Sequence, residues 1–304
     1  MSRLQTVGLD IGSNTVSCTQ LSLGKHGSIK VRRDKSFPVR LSEGLVPGGK
    51  LKPEAVMRAL MAIEQIVSKF DYHNSRSRAV ATAVLRIAGN PEVFTKPAEE
   101  ILGTPIEIVD GTEEARLTAI GAVFGLPERD DWAILDIGGQ STEISSRETD
   151  GTWRSISMPL GVVGVTEKYF SSETPSEAEQ QNARSMVRRT LEENLPIPVH
   201  GHLVCVGGTP TTLSRLVHGM TEWNREMVHG SVVSLEDTHR WMGIASTLDV
   251  TTRIEKYGMK PMRADVFPAG VLILLEMMNY LSKESFTVSA NGLRVGLALS
   301  LLNA

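Results

Sequence analysis

Two short apolar runs along the chain end in the same polar turn, and each is followed by a second run of alternating apolar and polar residues. The first copy is Thr6–Cys18, TVGLDIGSNTVSC, and the second is Trp132–Ile144, WAILDIGGQSTEI. The copies align without gaps, and Asp10 falls on Asp136. An apolar run, a glycine turn and a second alternating run are typical of a β-hairpin. The pattern therefore predicts two hairpins of the same design, one in each half of the chain.

Strand-like and helix-like segments alternate around both copies. Residues 53–70 have the apolar spacing of an amphipathic helix, with a proline in its first turn. Residues 111–126 predict a second helix with Thr112 as its N-cap. Alternation of strands and helices indicates an α/β protein. We expect two domains, residues 1–126 and 127–304, with PERDD (Pro127–Asp131) as the boundary; the final helix either stays with the second domain or packs back on the first.

Composition and net charge argue against nucleic acid and membranes as partners. The chain has 304 residues, 41% hydrophobic and 22% charged, with a net charge of −3. These values are ordinary for a soluble protein and provide no overall basic field, so neither nucleic acid nor a membrane is expected as a partner. Two cysteines, Cys18 and Cys205, make no disulfide framework and fit a reducing, cytoplasmic location. The apolar stretch Val266–Leu281 is shorter than a membrane span and carries Glu276.

The two Asp-Ile-Gly turns carry the candidate chemistry. Glycine lets backbone N–H groups approach an oxyanion, and a carboxylate beside the turn can hold Mg²⁺ against that anion. Facing copies would hold phosphates between two domains. Gln140 stands opposite Asn14 in the alignment, so an amide already occupies this position in the first copy. A third glycine turn, Gly207–Thr209, opens a helix that either receives an anion or is a plain strand–turn–helix corner.

Several charged residues have both a functional and a structural explanation. Glu113 and Glu114 open a predicted helix, where carboxylates are favoured by the helix dipole whether or not they react. Arg86 can bind phosphate in bidentate fashion or solvate a surface. Arginines at 184, 188 and 189 are best explained as a solvated helix face. Arg263 and Arg294 are either anion contacts or salt-bridge residues.

Eight ordered segments together resemble one family, the exopolyphosphatases and guanosine pentaphosphate phosphohydrolases (Ppx/GppA), within the superfamily of actin-like ATPases and sugar kinases. The segments are DIGSNT, ATAVLRIAGN, DGTEEARL, DIGGQSTE, LGVVGVTEKYF, GGTPTTL, RADVFPAG and NGLRVGLAL. The resemblance runs over essentially the whole chain. It implies an α/β fold of two actin-like (ribonuclease H-like) domains with an active-site cleft between them.

The resemblance also implies roles for individual residues. Glu114 matches the carboxylate that activates water for attack on a terminal phosphorus. Asp136 and Glu143 match the carboxylates that hold magnesium and position water, with Mg²⁺ as the cofactor. The residues that match phosphate contacts, together with the amide that occupies the same loop, are Ser13, Asn14, Arg86, Gly138, Gly139, Gln140 and Ser141.

The chain departs from the family pattern at two points. Gln140 replaces a glycine of the usual Asp-Ile-Gly-Gly-Gly-Ser loop, which puts the geometry of that loop in question. The sequence also ends at Ala304, where longer relatives continue into further helical domains, so we expect the short, two-domain form.

The expected activity is the Mg²⁺-dependent release of orthophosphate from the end of inorganic polyphosphate by a homodimer. Hydrolysis of guanosine pentaphosphate is the alternative within the family. A non-catalytic sensor of polyphosphate or alarmone is the alternative outside the enzymes. A kinase is disfavoured, because a base that activates water suits hydrolysis.

Overall fold

The computed structural model describes residues 4–195 and 199–302, and the chain divides into two compact units. The first unit contains the residues up to Phe124 together with those from Asn291 onward, and the second unit is Gly125–Ala290. The division therefore falls just before the PERDD segment. The second unit ends at Ala290, and the last helix of the chain belongs to the first unit.

The first unit is built on one sheet. Its described strands have the order β3-β2-β1-β4-β5, in which β2 pairs antiparallel with β1 and β3, while β4 runs parallel to β1 and β5. The strands are β1 (Gln5–Ile11), β2 (Thr15–Leu23), β3 (Ile29–Pro38), β4 (Arg76–Ala81) and β5 (Ile106–Ile108). The helices are α1 (Pro53–Lys69), α2 (Ala83–Ile87), α3 (Glu92–Leu102), α4 (Gly111–Val123) and, at the end of the chain, α13 (Leu293–Ser300).

The second unit is also built on one sheet, and its described strands have the order β10-β11-β9-β6-β7-β8. The strands are β6 (Trp132–Ile137), β7 (Thr142–Arg147), β8 (Trp153–Met158), β9 (His202–Val206), β10 (Val232–Ser234) and β11 (Ser285–Val288). The helices are α5 (Val162–Tyr169), α6 (Glu177–Asn194), α7 (Gly208–Val217), α8 (Arg225–Val228), α9 (Leu235–Thr247), α10 (Val250–Glu255), α11 (Pro261–Ala264) and α12 (Phe267–Tyr280).

The two sheets repeat one topology. Strands β3-β2-β1 and β8-β7-β6 are antiparallel meanders, and β1 and β6 each continue into parallel partners, β4-β5 and β9-β11. The predicted hairpins are β1–β2 and β6–β7, which we call the first and second hairpins. The repeat seen in the sequence therefore extends to five strands of each sheet, of which the hairpins are the part with recognisable sequence similarity; β10 is an additional edge strand of the second sheet.

Apolar periodicity explains how the helices pack. In α1 the buried residues Ala55, Ala59, Ala62, Ile63 and Ile66 recur at helical spacing and lie in the core of the first unit. Helix α12 is buried on nearly all sides, including Glu276, which is 1% exposed. Within residues 4–195 and 199–302, no helix combines the length and apolarity that a membrane crossing requires.

Helix α13 packs on α4 through glycines. A Cβ at Gly296 would lie 1.9 Å from the Leu117 carbonyl oxygen, and a Cβ at Gly121 would lie 2.2 Å from the Gly292 carbonyl oxygen. Such distances exclude any side chain, so the two helix backbones are in direct contact at these positions. The last helix thus supports α4, the helix that carries Glu114 in its first turn.

Candidate active site

The polar segments of the first unit gather at one edge of its sheet. Strands β1, β4 and β5 are parallel, and the register pairs Ile11 with Ala81 and Ala81 with Ile108. The carboxyl ends of parallel strands meet at one edge, which is the usual place for a ligand in an α/β sheet. The segments that leave this edge are the turn of the first hairpin and the helices α2 and α4, and they carry the predicted residues Ser13, Asn14, Arg86 and Glu114.

The turn of the first hairpin is fixed by backbone hydrogen bonds. Gly12 N–H donates to the Thr15 carbonyl at 2.9 Å, which closes the turn. The carbonyl of Asn14 accepts from Val39 N–H, and the carbonyl of Ser13 accepts from Ser42 N–H. Ser13 and Asn14 are only 5% and 6% exposed. Both predicted phosphate contacts are therefore held in place by the segment that follows β3.

Arg86 and Glu114 form an ion pair. One Nη of Arg86 lies 2.8 Å from Glu114 Oε2 and donates a second hydrogen bond, 2.7 Å long, to the Val109 carbonyl. Helix α2 supplies the arginine and the first turn of α4 supplies the carboxylate. Glu114 is 8% exposed, so its carboxylate is largely removed from bulk water. The predicted base and the predicted phosphate-binding cation thus lie side by side.

The structure distinguishes the two glutamates that open α4. Glu113 lies on the outer side of the helix, where Arg116 Nε donates to its carboxylate at 2.7 Å. This hydrogen bond, with the charges of Arg116 and Arg78, lowers the pKa of Glu113. Glu114 faces inward to Arg86. Glu113 is therefore a surface ion-pair residue, and Glu114 is the buried glutamate in contact with Arg86.

The predicted N-cap of this helix is wrong. Helix α4 begins at Gly111, and its N-cap is Asp110, whose Oδ1 accepts from Glu113 N–H at 2.8 Å. Thr112 is already inside the helix. An aspartate two residues earlier provides the same acceptor in extended backbone, so the helix starts there and Glu114 falls in its first turn.

Asp136 and Glu143 are direct cross-strand neighbours in the second hairpin. Opposed residues of an antiparallel pair lie on one face of the sheet with Cβ atoms about 5 Å apart. Glu143 is 3% exposed, and its Oε1 accepts from Ser157 Oγ at 2.7 Å across to β8. The two predicted metal-binding carboxylates therefore lie together, beside the turn made by Gly138, Gly139, Gln140 and Ser141.

The turn of the second hairpin has the geometry of the first. Gly138 N–H donates to the Ser141 carbonyl at 2.9 Å, as Gly12 does to Thr15. A Cβ at Gly138 would lie 2.8 Å from that carbonyl, so glycine is required there. Gln140 is not among the described residues with positive φ, so its position does not need glycine. Replacement of the family's third glycine by Gln140 thus leaves the turn intact.

Helix α5 packs tightly against this turn. The Gly138 and Gly139 carbonyls accept from Val162 and Val163 N–H at the start of the helix. A Cβ at Gly161 would lie 2.3 Å from the Gly139 carbonyl oxygen, so the loop backbone rests directly on that glycine. Gln140 Oε1 lies 3.5 Å from the place of a Cβ at Gly164, which locates the amide over the first turn of α5.

The third glycine turn brings an arginine to a helix start. Helix α7 has Gly207 as its N-cap, with φ of 97°, and the guanidinium of Arg263 lies against Gly208, where a Cβ would overlap its carbon atom. Burial lowers the pKa of this guanidinium. The position fits an anion contact at a helix N-terminus.

Other arginines have structural partners. Arg294 makes a bidentate pair with Asp34, with hydrogen bonds of 2.6 and 3.1 Å. Burial alone would lower the pKa of Arg294, but the charge and hydrogen bonds of Asp34, with the charge of Asp10, raise it. The salt-bridge explanation therefore holds for Arg294. Arg188 lies on a solvated face, as expected, with 55% of its side chain exposed, and it also donates to the buried Glu276 carboxylate at 2.6 Å, with Arg184 3.7 Å away.

Sequence reasoning did not single out one neighbour of the first turn. Arg40 has φ of 48°, which is uncommon for a residue with a side chain, and its N–H donates to the Asn14 carbonyl at 3.1 Å. Unusual backbone conformations cluster at functional sites. Its only sequence signal is its place in a polar segment just after β3, which periodicity does not assign to any element.

The carboxylate pair of the second hairpin fits a magnesium ion. Mg²⁺ is usually held by one or two carboxylates, water and substrate phosphates, not by a full protein cage. Asp136 and Glu143 provide two carboxylates beside a glycine turn. The described residues contain no group of three or more histidines, cysteines, aspartates and glutamates arranged to hold a metal. The donor set is therefore of the kind that Mg²⁺ completes with phosphate.

Comparison with known proteins gives a consistent result. Residues 24–304 match the family model of the Ppx/GppA phosphatase family. The chain is 30% identical to exopolyphosphatase 2 of Mycobacterium tuberculosis, with 99% of each chain covered.

Solved structures show the same fold. The crystal structure of the Aquifex aeolicus member of the Ppx/GppA family has a TM-score of 0.84 and 25% identity, covering 99% of this chain and 98% of its own. An exopolyphosphatase-like protein has a TM-score of 0.91 and 25% identity over the whole of both chains. The expected α/β fold class of two actin-like domains is thus confirmed.

Fold and relatives together define the class of protein, a phosphoanhydride hydrolase. The chain belongs to the Ppx/GppA phosphatase family.

Proposed function

We propose that this enzyme is an exopolyphosphatase that hydrolyses the terminal phosphoanhydride bond of inorganic polyphosphate with Mg²⁺ as its cofactor. The observation that carries the proposal is the opposed carboxylate pair Asp136 and Glu143 beside the Gly138–Ser141 turn. A polyphosphate end presents several anionic oxygens, which need a metal ion and backbone donors to neutralise them. The similar protein from M. tuberculosis is named an exopolyphosphatase, which supports this substrate over guanosine pentaphosphate.

In this proposal Glu114 is the general base. It accepts a proton from water as the water oxygen attacks the terminal phosphorus. The bond from phosphorus to the bridging oxygen breaks, and the shortened chain leaves with that oxygen. Burial restricts competing water around the carboxylate, and the ion pair with Arg86 fixes its orientation. A positioned base contributes about 10²–10⁴-fold to the rate.

In the proposed reaction Arg86 both orients Glu114 and binds a phosphate oxygen. Its guanidinium is anchored by the Val109 carbonyl and lies 2.8 Å from Glu114. A phosphate oxygen near this site would share the guanidinium, because its remaining N–H groups suit phosphate as well as carboxylate. Ser13, Asn14 and the turn from Gly138 to Ser141 are the further proposed phosphate contacts. Magnesium, held by Asp136 and Glu143, would neutralise charge on the transferred phosphoryl group.

The direct test is phosphate release by the purified protein from medium-chain polyphosphate in Mg²⁺, with guanosine pentaphosphate and ATP in parallel. We expect kcat/KM to be highest for polyphosphate and turnover to stop in excess chelator. A higher kcat/KM for pentaphosphate would reassign the substrate within the family. Tight polyphosphate binding without phosphate release would instead show a sensor. The expected homodimer stays a prediction.

A further inference from the structure

Strand β3 contains an irregularity that changes which residues share a face. Its register with β2 pairs Gln20 with Arg33 but Leu21 with Val31, so that Arg32 is an extra residue. The exposure pattern records the same break, because Arg32 and Arg33 are both exposed although they are neighbours in a strand. A β-bulge of this kind redirects a side chain. Here it brings two consecutive guanidinium groups to one face of the sheet.

Both arginines line a polar cavity of about 490 Å³. The other lining residues are Gln5, Gln20, Ser22, Ser68 and Asp71. The lining therefore contains no apolar residue, and its floor includes two buried side chains, Gln20 and Ser22, at 3% and 2% exposure. Gln20 Nε2 donates to Gln5 Oε1 at 2.5 Å, and Arg32 Nε donates to Ser22 Oγ at 2.6 Å. The floor thus has amide and hydroxyl groups held in fixed positions.

Positive charge continues along the edge of the sheet. A second cavity shares Arg32 and Arg33 and adds Lys35 and Lys69. Arg33 also donates to the Lys69 carbonyl at the end of α1. Two carboxylates lie nearby. Asp34 is taken up by its bidentate pair with Arg294, and Asp71 accepts from Asn74 Nδ2 at 2.8 Å. The side chains of Arg32, Arg33, Lys35 and Lys69 therefore outnumber the two carboxylates. The two cavities are locally basic in a chain whose net charge is −3.

The cavity lies at the other end of the strand from the candidate active site. Gln5 begins β1, and Ile11 ends it just before the Ser13 turn. Six residue steps along a strand span about 20 Å. The first cavity and the Glu114 site are thus different places on the first unit.

We propose that the first unit binds a short inorganic oligophosphate in these two cavities, with Arg32 and Arg33 as its main contacts; we call them the bulge site. Adjacent guanidinium groups suit neighbouring phosphate groups, because each can donate two hydrogen bonds to one anion. The buried amide of Gln20 below supplies a further donor. The choice of a phosphate chain as ligand rests on the proposed function, whereas the anion site itself follows from the bulge and its charges.

The test is calorimetric titration with sodium tripolyphosphate in excess chelator, which suppresses turnover. We expect each arginine replaced in the double variant R32A/R33A to lower the affinity of the bulge site for tripolyphosphate by roughly tenfold or more. The remaining affinity should depend less strongly on salt concentration. The control K25A/K96A removes the same charge from exposed lysines that line neither cavity. R32K/R33K keeps the charge and the fold while it removes the bidentate groups. Its affinity for tripolyphosphate should lie between those of R32A/R33A and K25A/K96A.

Three outcomes decide the matter. Loss of one class of tripolyphosphate site in R32A/R33A, with wild-type binding in K25A/K96A, supports the bulge site, even if the wild type proves to have no turnover. Equal losses in both double variants would overturn it in favour of general charge attraction. A single-stranded oligonucleotide of matched charge that binds as tightly as tripolyphosphate, and fails in R32A/R33A, would overturn the assignment of the ligand.

Discussion

The first and second hairpins have the same turn but different cross-strand partners. Each turn is closed by one hydrogen bond of 2.9 Å, from Gly12 to Thr15 and from Gly138 to Ser141. Opposite the aspartate, however, the first hairpin has Ser17 and the second has Glu143. In both sheets the third strand of the meander, β3 or β8, places a serine against this partner. Ser17 donates to Ser36, and Ser157 donates to Glu143.

The surroundings of the two aspartates differ as well. In the first unit the charge of Asp10 acts on Arg294, so a cation already lies close to this carboxylate. In the second unit Asp136 faces a second carboxylate across the hairpin. Two carboxylates together attract a divalent cation, while a carboxylate beside a guanidinium is partly neutralised. We therefore propose that the same hairpin makes a phosphate turn in the first unit and a metal–phosphate turn in the second.

The largest effect is expected at Glu114. In our proposal the first unit contributes this residue as the general base, whereas the second unit contributes the metal site. Glu114→Gln keeps the shape and the position in the first turn of α4 but cannot accept the proton. We expect kcat to fall by about 10²–10⁴-fold, with polyphosphate binding largely kept. Phosphate release measured beside equilibrium binding gives the answer, and Glu113→Gln is the matched control. Near-normal turnover in the Glu114 variant would remove this residue from the chemistry.

Converting the second hairpin into the first is the next test. Glu143→Ser creates the Asp–Ser pair of the first hairpin, and we expect activity to fall by roughly 10²-fold with a higher Mg²⁺ requirement, since one metal ligand is lost. The measurement is turnover as a function of Mg²⁺ concentration. Ser17→Ala is the control in the other hairpin and should leave the Mg²⁺ dependence unchanged. A shift of equal size in both variants would mean that the hairpins are not specialised as we describe.

A third test concerns the support of Glu114 by the last helix. Gly296→Ala would place a methyl group 1.9 Å from the Leu117 carbonyl oxygen, so α13 and α4 must separate. Overpacking of this kind costs on the order of 1–3 kcal/mol, seen as a lower melting temperature, and activity should fall with it. Gly243→Ala lies in α9 with open space around it and should be neutral or stabilising. An unchanged melting temperature for Gly296→Ala would argue against the tight helix contact.

The smallest effect is expected at Gln140. Its position does not need positive φ, and the turn closes as in the first hairpin. Gln140→Gly should therefore change kcat by no more than a few-fold, with stability lowered by about 0.4–1 kcal/mol through the added freedom of the unfolded chain. Steady-state kinetics and thermal unfolding measure both. If turnover rises from nothing to a normal rate, the native loop is that of a sensor.

Local patterns predicted the hairpins well, because apolar alternation and glycine turns depend on neighbouring residues. The equivalence of the Asn14 and Gln140 positions also followed from a gapless alignment. Contacts between distant residues could not be predicted in this way. The pairing of Arg294 with Asp34 spans 260 residues, and the packing of α13 on α4 depends on glycines far apart in the chain.

Single-residue shifts were equally invisible in the sequence. Glu113 and Glu114 are adjacent and chemically identical, and only the start of α4 at Gly111 decides which of them is buried. The extra residue in β3 likewise needs a known register before Arg32 and Arg33 can be placed on one face. The roles of the site residues in catalysis stay predictions until the variants are measured.

The central claim, that the second hairpin holds the metal and the first does not, is tested most directly by metal binding itself. Mn²⁺ can replace Mg²⁺ as a paramagnetic probe, and its affinity in the presence of tripolyphosphate can be measured by electron paramagnetic resonance. We expect Asp136→Asn to weaken Mn²⁺ binding by at least roughly tenfold, because one of two charged oxygen ligands is lost. Asp10→Asn should bind Mn²⁺ as the wild type does. Loss of the metal in Asp10→Asn, with wild-type affinity in Asp136→Asn, would contradict the account.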